Sequence, residues 1–187
     1  MLKLFVFVVG SAVIVYVSRA SLRGARSHGF YRFFAWEAIL ALTLLNLDVW
    51  FRDPFSWHQI ISWPLLVIAA FLVIHGVQLL QAIGKPNAQR NNAGRDDGAK
   101  LELEKTTTLV TVGAYRYIRH PLYSSLLFLA WGVFFKNPTW FGGVLALLAT
   151  VFLVATAKIE EAENTRFFGS AYQSYMKQTR MFVPFLF

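Results

Sequence analysis

Residues 122–157 read LYSSLLFLAWGVFFKNPTWFGGVLALLATVFLVATA, two apolar segments joined by a short polar turn. The asparagine and proline of that turn favour turn geometry. Segments 122–135 and 140–157 therefore predict a helical hairpin, whose second end returns to the side of the membrane where the first began. A crossing helix needs about 20 apolar residues. Because segment 122–135 is shorter, it crosses only if residues 115–121 extend it or the bilayer thins locally.

Three further apolar segments precede the hairpin, at residues 2–17, 33–51 and 60–83. The chain of 187 residues is 56% hydrophobic and 15% charged, with a mean hydropathy of +0.47, whereas soluble proteins are about 25% charged. This pattern predicts an all-α integral membrane protein of about five transmembrane helices in a single domain, residues 1–187. The chain has no cysteine, which excludes disulfides, thiolate nucleophiles and cysteine-based metal sites.

The first segment has one alternative interpretation, a secretory signal, because Lys3 precedes its apolar run. Residues 18–20, Ser-Arg-Ala, are a poor cleavage site because they contain an arginine. We therefore expect a retained span.

Lysine and arginine residues concentrate in alternate loops, a bias that orients membrane helices. Fifteen fall on one side and three on the other. The fifteen are Arg19, Arg23, Arg26, Arg32, Lys85, Arg90, Arg95, Lys100, Lys105, Arg116, Arg119, Lys158, Arg166, Lys177 and Arg180. We predict that the amino terminus lies outside and the carboxyl terminus in the cytoplasm. The basic loops can also hold anionic lipid head groups, and no nucleic-acid partner is needed to explain them.

The predicted order begins with three amino-terminal spans, residues 1–83, and a cytoplasmic loop, residues 84–121. The hairpin follows at residues 122–157, and a cytoplasmic tail, residues 158–187, forms part of the ligand site. Within the loop, residues 85–99 are rich in Asn, Gly and Asp, which is typical of flexible segments. Residues 101–112 alternate and then become β-branched. That pattern predicts an extended or strand-like lid.

A first polar cluster, GAYRYIRHPLY at residues 113–123, leads into the hairpin and ends in RHPLY at 119–123. Pro121 suits the first turn of a helix, and a helix N-terminus is a natural site for a carboxylate or phosphate. We interpret Arg119, His120 and Tyr123 as residues that bind a polar or anionic ligand at the membrane face. The alternative is that Arg119 and Tyr123 are interfacial anchors.

A second polar cluster, IEEAENTRFFGSAYQSY at residues 159–175, follows the hairpin and contains three carboxylates in EEAE at 160–163. A helix C-terminus prefers cations, so either the helix continues outward with a solvated acidic face or a carboxylate binds a ligand. Tyr172 and Tyr175 share one face of a following helix, which we interpret as an amphipathic helix lying on the membrane; the alternative is that the two tyrosines contact a ligand directly. Because the hairpin returns, both clusters meet at one membrane face and can form one polar site.

Polar residues also fall inside the predicted spans, where they are costly. We interpret Glu37 and Asp48 as interfacial, and His75 and Gln78 as structural partners on one helix face. The four histidines are scattered, and the chain contains no HExxH, GxSxG, GxGxxG or glycine-rich phosphate motif. No metal site is predicted.

The two clusters, in this order around a hairpin, resemble the isoprenylcysteine carboxyl methyltransferase family, in the wider group that includes phospholipid N-methyltransferases. The matching elements are LVTVGAY at 109–115, RHPLY at 119–123, Glu160-Glu161, FGSAYQSY at 168–175 and Val183-Pro184. The first half of the chain matches only in being hydrophobic spans.

This resemblance implies S-adenosylmethionine as methyl donor, bound at the cytoplasmic face without a Rossmann fold. The implied cofactor-binding residues are Thr107, Thr108, Leu109, Val110, Tyr115, His120, Pro121, Leu122, Tyr123 and Glu160. For catalysis we assign Arg119 as the partner of an anionic head group and Glu161 as a proton acceptor.

Two positions depart from the family pattern. Thr156 stands where isoprenylcysteine enzymes usually carry an arginine that serves the substrate, and Asn164 stands where an apolar residue is usual. The expected function is methyl transfer to a lipophilic acceptor that enters from the bilayer. A phospholipid or other small-lipid N-methyltransferase, a sterol-type reductase that uses NADPH, and a non-catalytic membrane protein of the same fold are the alternatives.

Overall fold

The computed structural model describes residues 1–22, 27–85 and 106–186, and over these ranges the chain is all-helical with no strand. The helices are α1 (Leu2–Leu22), α2 (His28–Leu45), α3 (Trp57–Ala82), α4 (Pro121–Phe134), α5 (Trp140–Phe168) and α6 (Ser170–Gln178). Short 3₁₀ turns occupy Leu47–Val49 and Gly113–Arg116. The prediction of an all-α membrane protein is confirmed.

Three of these helices, α1, α3 and α5, are long and apolar enough to cross a membrane, with 21, 26 and 29 residues. The other two members of the predicted five spans are shorter, since α2 has 18 residues and α4 has 14. At 1.5 Å per residue they extend about 27 Å and 21 Å, against a hydrocarbon core about 30 Å thick. The hairpin of α4 and α5 therefore has one short arm, as its sequence predicts.

Two helix boundaries differ from the sequence-based ones. The second segment was expected at 33–51, but α2 begins at His28, because the Ser27 hydroxyl accepts a hydrogen bond from the Phe30 N–H and caps the helix. Arg32, expected in a loop, is consequently buried within α2, and its guanidinium lies 5.1 Å from the centre of the Trp36 ring. The acidic cluster after residue 157 continues α5 to Phe168, so the helix extends beyond its apolar part.

Helix α2 packs against α1 and α5, and α3 packs against α4. The α2–α5 pair is antiparallel: His28 Nδ1 lies 2.9 Å from Glu163 Oε1 at one end, and Leu42 packs beside Gly142 at the other. A buried cluster of Ala35, Tyr123, Leu153, Ala157, Met181 and Phe182 fills the core next to the start of α4. This core supports the segment that carries the first polar cluster.

Polar residues within the apolar helices bind neighbouring helices. Glu37 accepts a hydrogen bond from the Ser11 hydroxyl at 2.7 Å, and Asn46 donates to the Val133 carbonyl at 2.8 Å. Asp48 lies at an exposed end and pairs with Lys3. Glu37 thus joins α1 to α2, while Asp48 lies outside the packed part of the helices.

Several expectations fall outside the described residues, namely Arg23, Arg26 and most of the predicted flexible segment and lid, 86–105. In the part of the lid that is described, the N–H groups of Thr107 and Thr108 donate to the Gly84 carbonyl at 3.0 and 3.3 Å. These bonds hold residues 106–108 against the end of α3.

Candidate active site

The carboxyl-terminal segment after α6 pairs with the segment before α4. The Arg119 N–H donates to the Arg180 carbonyl at 2.7 Å, and the Arg180 N–H donates to the Tyr117 carbonyl at 3.0 Å. The Ser124 hydroxyl in the first turn of α4 donates to the Phe182 carbonyl at 2.9 Å. This short ladder places the tail and the first polar cluster in one rigid unit.

Helix α4 begins at Pro121, which occupies the first turn without loss of a hydrogen bond. His120 stands at the N-cap position, but its side chain makes no capping bond to the helix. The imidazole instead stacks on the Tyr123 ring, with 5.5 Å between ring centres and 18° between planes. The side chain is therefore free of a capping role and is positioned by aromatic packing.

Arg119 and Glu161 form a nearly buried ion pair. Arg119 Nε donates to Glu161 Oε1 at 2.5 Å, and each side chain is 10% exposed. Arg119 Nη1 also donates to the carbonyls of Thr179 and Met176, at 2.5 and 3.3 Å. These carbonyls lie at the C-terminal end of α6, where a cation is favourable. The guanidinium thus joins three parts of the chain: residue 119, α5 and the end of α6.

The same Glu161 oxygen lies 3.4 Å from His120 Nε2. This nitrogen is buried and makes no hydrogen bond in the structure. A carboxylate oxygen only accepts hydrogen bonds, so Glu161 Oε1 is a potential acceptor for an N–H group on His120 Nε2. Glu161 Oε1 therefore lies between the side chains of Arg119 and His120.

A cavity of about 580 Å³, counting its open mouth, lies between the two polar clusters. Its walls come from α3, the segment before α4, the start of α4, the outer part of α5, and α6. The lining residues are Leu80, Thr106, Leu109, Val110, Tyr115, Arg119, His120, Leu122, Tyr123, Glu160, Asn164, Phe168, Tyr172 and Tyr175. Its lining combines apolar walls with a few polar groups from both clusters, as small-molecule sites in proteins usually do.

The cavity brings together eight of the twelve residues proposed from sequence: Leu109, Val110, Tyr115, Arg119, His120, Leu122, Tyr123 and Glu160. The other four, Thr107, Thr108, Pro121 and Glu161, do not line it. Thr107 is exposed and its hydroxyl donates to the Lys85 carbonyl. Glu161 points toward Arg119, while its neighbour Glu160 faces the cavity.

The structure corrects the interpretation of Tyr172 and Tyr175. Both were expected on a membrane-facing surface, but they are buried, with 3% and 7% exposure, and line the cavity. The Tyr175 hydroxyl donates to the Tyr115 carbonyl at 2.6 Å. Burial raises the pKa of both phenols, and the nearby Glu160 carboxylate adds to the effect at Tyr172.

Sequence reasoning missed two lining residues, Leu80 and Thr106, which lie outside both polar clusters and carry no distinguishing pattern. Asn164 was noted only as a departure from a family pattern. Its amide lies one helical turn from Glu160, 3.5 Å from that carboxylate, and it contacts the Tyr172 hydroxyl. Thr156 is fully buried, and its hydroxyl donates to the Phe152 carbonyl within α5. Asn164 thus belongs to the cavity, whereas the hydroxyl of Thr156 is satisfied within its helix.

Comparison with known proteins gives consistent matches. The sequence model of the phospholipid methyltransferase family matches residues 94–171. The methanethiol S-methyltransferase of Pseudomonas deceptionensis is 27% identical over 128 residues, which are 67% of this chain and 43% of that protein. The protein-S-isoprenylcysteine O-methyltransferase of Mus musculus is 31% identical over 153 residues, and that of Rattus norvegicus is 36% identical over 152; each match covers 79% of this chain and 52% of the relative.

The chain spans about half the length of the curated relatives it matches. No solved structure matches it. Among the residues that the structure describes, no group of three or more His, Asp or Glu side chains is arranged to hold a metal ion.

Proposed function

We propose that this chain, which belongs to the isoprenylcysteine carboxyl methyltransferase family within the wider group of phospholipid methyltransferases, is a membrane methyltransferase that uses S-adenosylmethionine and acts on a lipophilic acceptor. The observation that carries the proposal is the cavity in which His120 and Tyr123 from one polar cluster face Glu160 from the other. The two clusters are adjacent in space because the α4–α5 hairpin returns the chain to its starting side.

The residues around the cavity fit S-adenosylmethionine. Glu160 offers a carboxylate to an amine or a ribose hydroxyl, and the start of α4 offers N–H groups to a carboxylate. Leu109, Val110 and Leu122 supply an apolar wall for a base. Aromatic rings attract cations, so Tyr123 and the other rings of the cavity suit a sulfonium. We accordingly retain Leu109, Val110, Tyr115, His120, Leu122, Tyr123 and Glu160 as binding residues, with Thr107, Thr108 and Pro121 supporting them from outside the cavity.

S-adenosylmethionine, when bound, supplies an electrophilic methyl group. The protein's own contribution is to orient that methyl against the acceptor and to exclude water. Arg119 and Glu161 serve this purpose as positioning residues, because their mutual ion pair fixes the segment before α4 against α5. The names of the relatives specify a sulfur acceptor in one case and an oxygen acceptor in the other.

The membrane arrangement we propose has five spans, α1 to α5, with the amino terminus outside and the cavity at the cytoplasmic face. It is supported by the excess of lysine and arginine on the side of the cavity. A lipophilic acceptor then enters from the bilayer, while the methyl donor enters from the cytosol. No nucleic-acid or metal partner is needed.

Equilibrium binding of tritiated S-adenosylmethionine to the purified protein in nanodiscs tests the donor half of this proposal. Hydrogen bonds to a charged group contribute about 1.5–3 kcal/mol, so Glu160→Gln should weaken binding about 10- to 100-fold. His120→Ala should also weaken it, by removing a wall of the cavity. A folded wild-type protein that does not bind this ligand would show that the proposed function is wrong.

The matched control is Glu163→Gln, which changes a carboxylate three residues further along the same helix. Glu163 pairs with His28 and is not part of the cavity wall, so binding should be unchanged. If Glu160→Gln and Glu163→Gln weaken binding equally, the assignment of Glu160 is wrong. An untargeted comparison of lipids from cells with and without the protein then identifies the acceptor.

A further inference from the structure

We propose that Asn164 and Tyr172 join Glu160 in a subsite for the ribose hydroxyls of the methyl donor; this inference rests on the proposed methyltransferase function. The Glu160 carboxylate alone suits either the amine of the methionine part or a hydroxyl of the ribose, because it accepts hydrogen bonds from both. The side chains around it decide between the two, and with them the direction in which the donor lies in the cavity.

Three lining residues form a row along the outer part of α5. Glu160, Asn164 and Phe168 are spaced four residues apart, and residues at this spacing lie on one face of a helix. All three belong to the cavity wall, as does Tyr172 of α6. The Tyr172 ring stacks on the Phe168 ring, with 6.4 Å between ring centres and 21° between planes. One side of the cavity therefore carries a carboxylate, an amide, a phenol and an aromatic ring.

The Asn164 amide connects the other two polar groups of this side. Its Nδ2 lies 3.5 Å from Glu160 Oε1, and a carboxylate oxygen only accepts hydrogen bonds, so the amide directs N–H groups toward it. Burial and the Glu160 carboxylate raise the pKa of the Tyr172 phenol, whereas the hydrogen bond with Asn164 lowers it. A bond donated to the phenol oxygen has this effect, because it stabilises the phenolate. The amide of Asn164 thus donates toward both of its neighbours.

This set of groups matches a vicinal diol better than an ammonium. A hydroxyl both donates and accepts hydrogen bonds. The Glu160 carboxylate can accept from the ribose hydroxyls, while the Asn164 N–H groups and the Tyr172 hydroxyl can donate to their oxygens. An ammonium has donors only, so the N–H groups of Asn164 would oppose it. The subsite therefore selects the ribose, and the amine of the methionine part lies elsewhere in the cavity.

The rest of the donor follows from the place of its ribose. The adenine is attached to the same sugar and lies beside Phe168, whose ring offers a surface for stacking. The methionine part extends toward the start of α4, where the first N–H groups of the helix suit its carboxylate. The adenosine half is thus held by α5 and α6, and the methionine half by α4.

Burial makes this subsite selective. The Tyr172 side chain is 3% exposed, and a buried polar group that loses its partner weakens binding more than an exposed one. A site built to bond a hydroxyl strongly rejects an analogue that lacks it. We therefore expect the protein to discriminate against donors whose ribose lacks one of its hydroxyls.

A series of S-adenosylhomocysteine analogues tests which group Glu160 binds. The 2′-deoxy, 3′-deoxy and desamino analogues compete with tritiated S-adenosylmethionine for the full chain in nanodiscs, in the wild type and in Glu160→Ala. Loss of a hydroxyl that bonds Glu160 should weaken wild-type binding about 10- to 100-fold. The same loss should hardly change binding to Glu160→Ala, since its partner is already absent. Loss of the amine should weaken binding to both proteins by the same factor.

The opposite pattern overturns the inference. If loss of the amine matters only when Glu160 is present, and loss of either hydroxyl weakens both proteins equally, Glu160 binds the methionine part. Protein that binds S-adenosylmethionine with this pattern leaves the proposed function intact. Folded wild-type protein that does not bind S-adenosylmethionine overturns both.

Two variants test the residues that the subsite adds. Asn164→Leu keeps the size of the side chain and removes its donors, and Tyr172→Phe keeps the ring on Phe168 and removes only the hydroxyl. Each should weaken S-adenosylhomocysteine binding about 2- to 10-fold and reduce the penalty for at least one deoxy analogue, with the effect of the missing amine unchanged. Because Tyr172→Phe preserves the stacked ring, it provides the test even if Asn164→Leu does not fold.

The matched amide control is Gln173→Leu, which changes an exposed side chain of α6 that is not part of the cavity wall. It should bind every analogue as the wild type does. If Asn164→Leu and Tyr172→Phe also bind the whole series like the wild type, these two side chains do not contact the donor and the inference is wrong. If they weaken all analogues by one common factor, their role is to shape the cavity, which equally contradicts a ribose subsite.

Discussion

Arg119 Nε and Glu161 Oε1 lie 2.5 Å apart although 42 positions separate the two residues in sequence. Through this pair the segment before α4 is fixed to the outer part of α5, directly beside the cavity. The contact explains why both polar clusters are needed for one site, since each supplies one charge of the pair and at least one lining residue.

Breaking this pair should destabilise the protein. Removing one partner of a buried pair leaves an uncompensated charge and costs about 3–5 kcal/mol. We therefore expect Arg119→Gln and Glu161→Gln each to lower the free energy of unfolding by that amount, and the double variant to lose clearly less than the sum. Denaturant unfolding in detergent measures all three.

An exposed ion pair provides the control. Lys3 and Asp48 also lie 2.5 Å apart, but their side chains are 41% and 71% exposed. Surface pairs contribute about 0–1 kcal/mol, so Lys3→Gln or Asp48→Asn should have little effect. Additive losses for Arg119 and Glu161 would mean that the two side chains act independently.

Gly113→Ala should be more damaging than Gly169→Ala, although both glycines have positive φ angles, +59° and +61°. Such backbone strain costs about 1–3 kcal/mol for other residues. A Cβ at Gly113 would also lie 2.6 Å from His75 Nε2, whereas one at Gly169 meets nothing within 4 Å. Overpacking adds about 1–3 kcal/mol. Thermal unfolding compares the variants, and His75→Ala should partly rescue Gly113→Ala. Equal losses would remove the steric explanation.

The helices and the two polar clusters could be predicted from sequence, because a membrane-spanning helix needs a long apolar run and polar residues inside such a run are costly. Sequence reasoning assigned Glu160 to the cofactor and Glu161 to proton transfer, but it did not predict that Glu161 would pair with Arg119 outside the cavity wall. Consecutive residues on a helix point about 100° apart, and only the position of Arg119 decides which carboxylate faces the cavity. Glu160 therefore keeps its expected place in the cavity wall, whereas Glu161 faces Arg119.

Other features depend on packing that no local pattern specifies. Arg32 looks like a loop cation, yet the Ser27 cap starts α2 early enough to bury it. Tyr172 and Tyr175 lie on one helix face, a pattern that is typical of a helix on a membrane surface. In the structure, however, the Tyr175 hydroxyl donates a hydrogen bond to the Tyr115 carbonyl, and this side chain is buried. Leu80 is one leucine among many on α3. Its place in the cavity follows from the contact of α3 with α4.

The buried Lys136 at the opposite end of the molecule should depend on Gln59. Lys136 is 1% exposed, donates to Gln59 Oε1 at 2.9 Å, and lies 3.3 Å from the centre of the Trp63 ring. Gln59→Leu leaves the ammonium without this acceptor, so we expect a loss of about 3–5 kcal/mol. Lys136→Met removes the charge itself and should cost only about 1–3 kcal/mol. Chemical unfolding of both variants tests this order, and the reverse order would contradict it.

Alkaline pH should unfold the protein through its buried tyrosines. Burial raises the pKa of Tyr172 and Tyr175, while an unfolded tyrosine titrates near about pH 10. Their stabilisation is therefore complete below that pH and is lost as the pH rises above it. Tyr175→Phe should be about 1 kcal/mol less stable at neutral pH, because its bond to Tyr115 is lost, yet decline less steeply above pH 10. Tyr117→Phe, which removes an exposed hydroxyl, should match the wild-type slope. Identical alkaline slopes for all three proteins, measured by denaturant unfolding, would exclude these two phenols as the cause.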